Sequence, residues 1–392
     1  MAAVTGPALS AYRLTEEQVL LRDTIRQLAD ERIAPRAAEI DHSAEFPHDI
    51  KALLADHEVL ALPFPEVHGG VGADLLTVCL AIEQIARACV TSSLILAVQA
   101  LGSDPLLRKG TPEQQARWIP DLAAGRKLIA FGLTEPEAGS DVAAIRTRAV
   151  REGEDYVLNG TKRFITHGSV AGLITVFAVT SPEASRRRRL SCFIAEVPTP
   201  GFAVTKLEHK MGIRGSPTAE LAFDGVRVPA ANRIGEEGDG FDLAMATFEH
   251  SRPGIAAQAV GLAQGALEFA TAYARERRQF GQRIGDFQMV SALLADMDAQ
   301  VEAARALTYH ACAEIAAGSA AAARWASLCK LVAGDAAMRV TTDAVQVLGG
   351  YGYIDEFPVE RMMRDAKITQ LYEGTQQIQR LVIARALLGR GG

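Results

Sequence analysis

A single carboxylate, Glu373, stands between an aromatic and a glycine in LYEGTQQIQ, the stretch 371–379 that joins two apolar, helix-like runs. An acid at such a joint has two readings. It is a solvated helix end, or it is a base: burial beside Tyr372 raises a carboxylate's pKa and makes it a better proton acceptor. Two other stretches are suited to receive a bound group. In FGLTEPEAGSD, Phe131 to Asp141, glycines and hydroxyls let backbone amides and Ser or Thr side chains approach an anion or a heteroaromatic edge; alone it is also an ordinary loop. In QVLGGYGYIDEFPVERMMRD, Gln346 to Asp365, three glycines end a helical run. They either cap it or admit a close backbone approach to something bulky.

The common nucleotide and hydrolase signatures are missing. There is no G-x-x-x-x-G-K-[ST] loop, no G-x-G-x-x-G after an early strand and no G-x-S-x-G elbow. A doubly wound dinucleotide domain is therefore not expected.

These stretches must be positioned by a chain of 392 residues, enough for two or three packed domains. Hydrophobic residues make up 48% and charged residues 22%, the balance of a soluble globular protein. A net charge of -6 argues against nucleic acid as the main partner. The basic run Arg186 to Arg189 reads as a solvated loop or as a contact with an anionic ligand. Five cysteines without a C-x-x-C pair read as buried thiols in a reducing compartment, and the eight histidines lack metal spacing. The N-terminal MAAVTGPALSAYRLTEEQ has neither an apolar signal core nor an Arg-rich transit pattern. No apolar run reaches the roughly 20 residues needed to cross a bilayer. The expectation is a cytoplasmic enzyme with no membrane and no nucleic-acid partner.

The texture changes twice along the chain, which divides it into 1–129, 130–238 and 239–392. The first part is helical: TEEQVLLRDTIRQLADERIAPRAAEID opens at Thr15 and is punctuated by Pro35, and Thr111 with Pro112 starts another helix. The middle part is strand-rich, with LITVFAVT, LSCFIAEV and AELAFDGVRV as strands and Asn159-Gly160 as a hairpin signal. The last part is Ala- and Leu-rich and forms two or three long helices followed by shorter ones.

Together the three stretches are far more specific than any one. The segments GLTEPEAGSD, KMGIRGSPTAEL, RERRQFG, VQVLGGYGY, RDAKI and YEGTQQIQR stand in this order, and nearly the whole chain resembles the acyl-CoA dehydrogenase family. The resemblance implies an α+β, mostly α, fold: an N-terminal helical domain, a middle β-barrel-like or β-sandwich domain and a C-terminal four-helix bundle. It implies FAD between the β domain and the bundle, held partly by a neighbouring subunit.

It also implies roles. The reaction is removal of two hydrogens from the carbons α and β to an acyl-CoA thioester, giving the trans-2-enoyl-CoA. Glu373 matches the base for the α-proton, and the β-hydrogen leaves as hydride to flavin N5. Gly374 permits the tight turn, and the Glu373 N–H, with a flavin ribityl hydroxyl, holds the thioester oxygen. Some members carry the base just before the arginine of FEHSRP; here that place is Ser251, which cannot act as one, and Glu249 points elsewhere on the helix. Ser140, Phe248, Arg252, Tyr372 and Gly374 match substrate contacts, although Arg252 also reads as an ordinary helix-surface charge. Phe131, Leu133, Thr134 and Ser140 match residues lining flavin and pantetheine, and Phe164 and Thr166 match the segment packed on the isoalloxazine. Phe164 replaces the usual Trp and His167 the usual Asn, so stacking area is lost and His167 is a substituted turn residue. Arg277, Gln279 and Phe280 match the arm that reaches the FAD of a second subunit. Gln346, Gly349 and Gly350 match the other pyrophosphate contact, Thr375 and Gln377 the adenosine end, and Gln288 is grouped with these cofactor residues.

The family's habit implies a homotetramer, a dimer of dimers, that passes electrons to an electron-transferring flavoprotein. Glutaryl-specific members place an arginine in the helix of ARACVTSSLILAVQALG, where this chain has Val90; Arg87 faces away, and Ser93 and Ala97 leave depth. An uncharged short- to medium-chain acyl group follows, on CoA or on an acyl carrier protein. An acyl-CoA oxidase of the same fold and a helical scaffold that has lost FAD are the rival readings. Retention of Glu373, Thr134, Arg277 and Gly349-Gly350 argues against the scaffold.

Overall fold

The computed structural model describes residues 14–389, so the first residues of the N-terminal reading above lie outside the described residues. Helix α1 (Glu16–Leu28) begins with a capping box, in which Thr15 accepts from the Gln18 N–H and the Gln18 side chain returns to the Thr15 N–H. It ends earlier than Pro35 suggests: a π turn (Ala29–Ile33) and a 3₁₀ turn (Ala34–Arg36) lead into α2 (Ala37–Ser43). Helices α3 (His48–Asp56), α4 (Leu75–Ala88), α5 (Val90–Lys109) and α6 (Pro112–Ala123) complete this part. Thr111 and Gln114 form a second capping box with Pro112 at the first turn, as expected.

Two expectations change here. The run around ARACV is not one helix, because Cys89 is extended (φ -158°, ψ 108°) and separates α4 from α5. Apolar residues surround the break on all sides, so periodicity does not reveal it. Also, α5 is long and apolar enough to cross a membrane, contrary to the count from the sequence, but 83% of that window is buried inside the protein. It is packed as a central core helix.

The middle part is an eight-stranded sheet. Its strands are β1 (Ile129–Gly132), β2 (Arg148–Glu152), β3 (Asp155–Thr166), β4 (Leu173–Val179), β5 (Leu190–Glu196), β6 (Phe202–Leu207), β7 (Thr218–Pro229) and β8 (Arg233–Ile234). The order is β6-β7-β3-β2-β4-β5-β8, with β1 parallel to β4. Strands β5 and β7 approach each other although three strands separate them in the sheet, so the sheet curls in a barrel-like way around Tyr156, Ile174, Phe193 and Phe223. Its other face packs Phe177, Cys192 and Ile194 on Trp118 of α6. Asn159-Gly160 is not a hairpin. Both lie inside β3 at a bulge, where Asn159 Oδ1 accepts the Gly225 N–H at 2.8 Å. Glycine is needed at 160 for close approach, since a Cβ there would sit 2.4 Å from Thr147 Oγ1. The turn is made earlier, at Gly153 (φ +65°), between the paired Glu152 and Asp155.

The last part packs α7 (Gly240–Glu276), α8 (Gln288–Ala316), α9 (Ala322–Leu348) and α11 (Gln376–Leu387) as a bundle, with α10 (Pro358–Ala366) beside α7 and α9. Alanines 256, 259, 263 and 266 of α7 face alanines 333, 337 and 344 of α9 in one buried cluster. Small side chains there allow the close helix packing that the composition suggests. A short hairpin, β9 (Arg278–Gln279) and β10 (Gln282–Arg283), projects between α7 and α8. All five cysteines are buried free thiols.

Candidate active site

Between the 3₁₀ turn Lys367–Gln370 and α11 the chain reverses in two left-handed residues, Glu373 (φ +51°) and Gly374 (φ +90°). Thr375 then caps α11 by accepting the Ile378 N–H. A positive φ is uncommon for a residue with a side chain, and here neighbours hold it. Gln379 Nε2 donates to the carbonyls of Glu373 (3.1 Å) and Gly374 (2.9 Å), and Lys330 Nζ to that of Gly374 (2.8 Å). No acceptor among the described residues takes the Glu373 N–H.

The turn aims the Glu373 carboxylate at α7. Ser251 Oγ donates to its Oε2 at 2.5 Å. Burial drives the Glu373 pKa up to about 7, against the Ser251 hydrogen bond and the charges of Arg252 and Lys330, with Asp104 adding to the rise. Arg252 is not a surface charge. It is buried, its Nη1 donates to Ser327 Oγ at 3.0 Å, and its Nε has no hydrogen-bond partner among the described residues.

Glu373 opens on a cavity of about 630 Å³. Of the residues expected in the site, Phe131, Leu133, Thr134, Ser140, Phe164, Thr166, Phe248, Arg252, Tyr372 and Gly374 line it with Glu373. Glu249 does not. From α5 come only apolar side chains: Leu94, Ala97, Val98 and Leu101. Val90 and Ser93 are absent from the lining, which corrects the expected depth at Ser93. Ser93 instead accepts from Gln258 Nε2 (2.8 Å), whose Oε1 accepts the Tyr372 hydroxyl, so the Tyr372 ring is tied to the bundle. Arg87 does face away, paired with Glu268 and Asp30.

A buried ion pair holds the Thr134 side. Lys162 Nζ reaches Glu135 Oε1 (2.8 Å) and the Leu133 carbonyl (3.1 Å). Glu135 accepts the N–H groups of Arg146 (2.6 Å) and Thr147 (2.9 Å). Phe164 has φ +58° beside an irregularity in β3, and the residue is 58% exposed. His167 is a turn residue at φ +60° whose Nε2 meets Ser216 Oγ at 3.1 Å. Burial, with the Lys210 charge, drives its pKa down to about 3, so it is neutral at ordinary pH.

A second concavity, of about 460 Å³, gathers Arg277, Gln279, Gly349 and Gly350 with Tyr273 and Tyr351. It shares no lining residue with the Glu373 cavity. Arg277 lies over the Tyr351 ring, 5.2 Å from its centroid. Phe280 projects at the hairpin tip, 94% exposed. Gln288, Gln346 and Gln377 are exposed, and with Thr375 they line neither concavity. Sequence reasoning missed Lys330, Gln379, Gln258 and the Glu135–Lys162 pair, and it did not foresee Ser251 as a hydrogen-bond partner of Glu373. Only Ser251 carried a signal, its place beside Arg252.

Three sequence models of the acyl-CoA dehydrogenase family match the chain: the N-terminal domain at 15–126, the middle domain at 130–226 and the C-terminal domain at 238–388. The chain is 49% identical over 378 residues to the cyclohexane-1-carbonyl-CoA dehydrogenase of Geobacter metallireducens, covering 96% of this chain and 99% of that one. Among solved structures, butyryl-CoA dehydrogenase from Megasphaera elsdenii superimposes with a TM-score of 0.93 at 42% identity, covering 96% and 99% of the two chains. A glutaryl-CoA dehydrogenase from Mycobacterium smegmatis in complex with FADH2 does so at 0.90 and 30%, covering 97% and 96%. By its three matched domains and its full-length likeness to these enzymes, the chain belongs to the acyl-CoA dehydrogenase family and is an enzyme of that class.

Proposed function

We propose that this chain removes the α-proton and β-hydride of an uncharged, short- to medium-chain acyl-CoA, with Glu373 as the base and FAD as the cofactor. One observation carries the reading: the Glu373 carboxylate is fixed at the wall of a largely apolar cavity, where burial pushes its pKa up to about 7. A base of that pKa is ionised often enough at neutral pH and is still strong enough to accept a weakly acidic proton. Ser251 occupies Oε2, which leaves Oε1 for the substrate. The Glu373 N–H, unpaired among the described residues, is free to hold the thioester oxygen as negative charge develops there. Leu94, Ala97, Val98 and Leu101 receive the acyl chain, and no charged residue of α5 lines the cavity to meet a distal carboxylate. The butyryl- and cyclohexane-1-carbonyl-CoA relatives support substrates of this size.

The residues present fit FAD. The uncovered Phe164 face and the Thr134 and Thr166 hydroxyls suit the flavin ring, while Arg277 and the open backbone at Gly349-Gly350 suit its pyrophosphate. When bound, the flavin accepts the β-hydride. The cavity and the Arg277 groove share no lining residue, which supports the reading that a groove from a second copy completes each site. A cytoplasmic homotetramer that donates to an electron-transferring flavoprotein accommodates this arrangement.

The test is anaerobic: purified holoenzyme is mixed with acyl-CoA esters of increasing length and branching, and the flavin band near ~450 nm is followed. Bleaching by short, uncharged esters supports the reading. Bound FAD with no bleaching by any ester would overturn it, and rapid reoxidation on admitting air would point to an oxidase.

A further inference from the structure

We propose that Lys330 is the positioning residue of the Glu373 base: its buried ammonium, hydrogen-bonded to the Gly374 carbonyl and to Gln376, fixes the Glu373–Gly374 turn and sets a positive charge beside it. The inference rests on Glu373 being the base.

Lys330 is fully buried in an alanine-rich stretch of α9, where an apolar residue would pack without desolvating a charge. Its Nζ donates to the Gly374 carbonyl at 2.8 Å and to Gln376 Oε1 at 3.3 Å. Both acceptors are neutral, and both belong to the segment that carries Glu373. No carboxylate among the described residues lies within ion-pair distance of it. Burial pushes the Lys330 pKa down to about 8, with the Glu373 charge the strongest influence against that fall, and Lys330 in turn favours ionisation of Glu373. The groups facing the base are Ser251 and Arg252 from α7, Lys330 from α9, Asp104 from α5 and the adjacent Tyr372. Those facing Lys330 are Glu373, Arg252 and Asp335.

The geometry gives α9 a double task. Ser327, one turn before Lys330, accepts the Arg252 guanidinium. One face of α9 thus fixes both the α7 arginine and the turn that holds the base. The left-handed Glu373 persists only while its surroundings hold it. Gln379 does so from α11 with a neutral amide; Lys330 alone does so with charge.

The test uses FAD-loaded Lys330→Met, Lys330→Gln and Lys330→Arg with an acyl-CoA analogue that has sulfur in place of the β-carbon. This analogue has no β-hydride, so exchange of its α-protons with D2O, read by NMR, reports proton abstraction alone. Lys330→Met and Lys330→Gln are expected to move the pH midpoint of exchange up by about one unit, slowing exchange about tenfold below the parent midpoint. Lys330→Arg is expected to restore it. An unchanged midpoint in Lys330→Gln, whether the rate is kept or falls equally at every pH, would overturn the role assigned to the charge. Glu373→Gln is run in parallel: persistent exchange there would remove Glu373 as the base, a failure distinct from that of Lys330.

Discussion

Ser251 Oγ donates to Glu373 Oε2 at 2.5 Å, joining two residues 122 positions apart. One lies within the long helix α7, the other in a two-residue left-handed turn. A hydrogen bond to an ionised oxygen is short and strong, and it favours the charged form. It therefore opposes the burial that raises the pKa of Glu373. The Glu373 carboxylate is thus held from two sides of the cavity, by its own turn and by α7.

Ser251→Ala removes that opposition. Its removal raises the Glu373 pKa further above about 7. The acid limb of the pH–rate profile is expected to move up by about one unit, with a loss of about tenfold at pH 6 and little loss near pH 9. Stopped-flow flavin reduction across this range checks it, and Ser251→Thr should keep the parent profile.

Glu373→Gln keeps the size and the backbone of the turn but cannot accept the proton. Binding of FAD and of CoA esters is expected to persist, while flavin reduction falls by about four orders of magnitude or more. Titration with an unreactive thioester, followed by single-turnover kinetics, separates the two effects.

The Glu135–Lys162 pair should govern stability. Removing one partner leaves a buried charge, so Lys162→Met is expected to cost about 3–5 kcal/mol in denaturant unfolding. The double variant with Glu135→Gln should recover part of that. Burial alone would raise the Glu135 pKa, but Lys162, Thr147 and the Arg146 N–H outweigh it and hold it below the ordinary 4.5. Its contribution is present above pH 4.5 and lost as pH falls through the lower folded value. Glu135→Gln should flatten that acid limb in unfolding measured against pH.

Arg277→Ala removes the cation of the second groove. FAD occupancy, read from the ratio of flavin to protein absorbance, is expected to fall about tenfold for loss of a charged pyrophosphate contact. The assembly is expected to loosen with it, as light scattering would report. Full occupancy with an unchanged assembly would sink the idea of a site shared between chains.

Local chemistry was legible wherever a residue acts on its near neighbours. Thr15 and Thr111 announce their helices because a cap needs only the next turn. Asn159-Gly160 misleads because the same pair serves a hairpin or a bulge, and the choice depends on Gly225 and Thr147, distant in sequence. Glu373 was legible through its motif; the residues that hold its turn and the adjacent Tyr372 were not. Lys330, Gln379 and Gln258 are ordinary residues on apolar helices, and their meaning arises only when α9, α11 and α7 meet. The α4–α5 break at Cys89 stays hidden for a related reason: both helices are buried on most sides, so no polar face marks the change of direction.

The cavity with Glu373 and the groove with Arg277 have no lining residue in common. If each working site takes its cavity from one chain and its groove from another, two differently damaged copies can repair each other. A mixed dimer of Glu373→Gln and Arg277→Ala chains would contain one site with both lesions and one with neither. Two alleles, each crippled alone, would pair at random when co-expressed equally; half of the dimers would be mixed, each with one intact site of two, giving about a quarter of the normal activity. Two lesions confined to one concavity would not. The inheritance of defects in such a protein would follow which concavity each lesion strikes, rather than how severe it is.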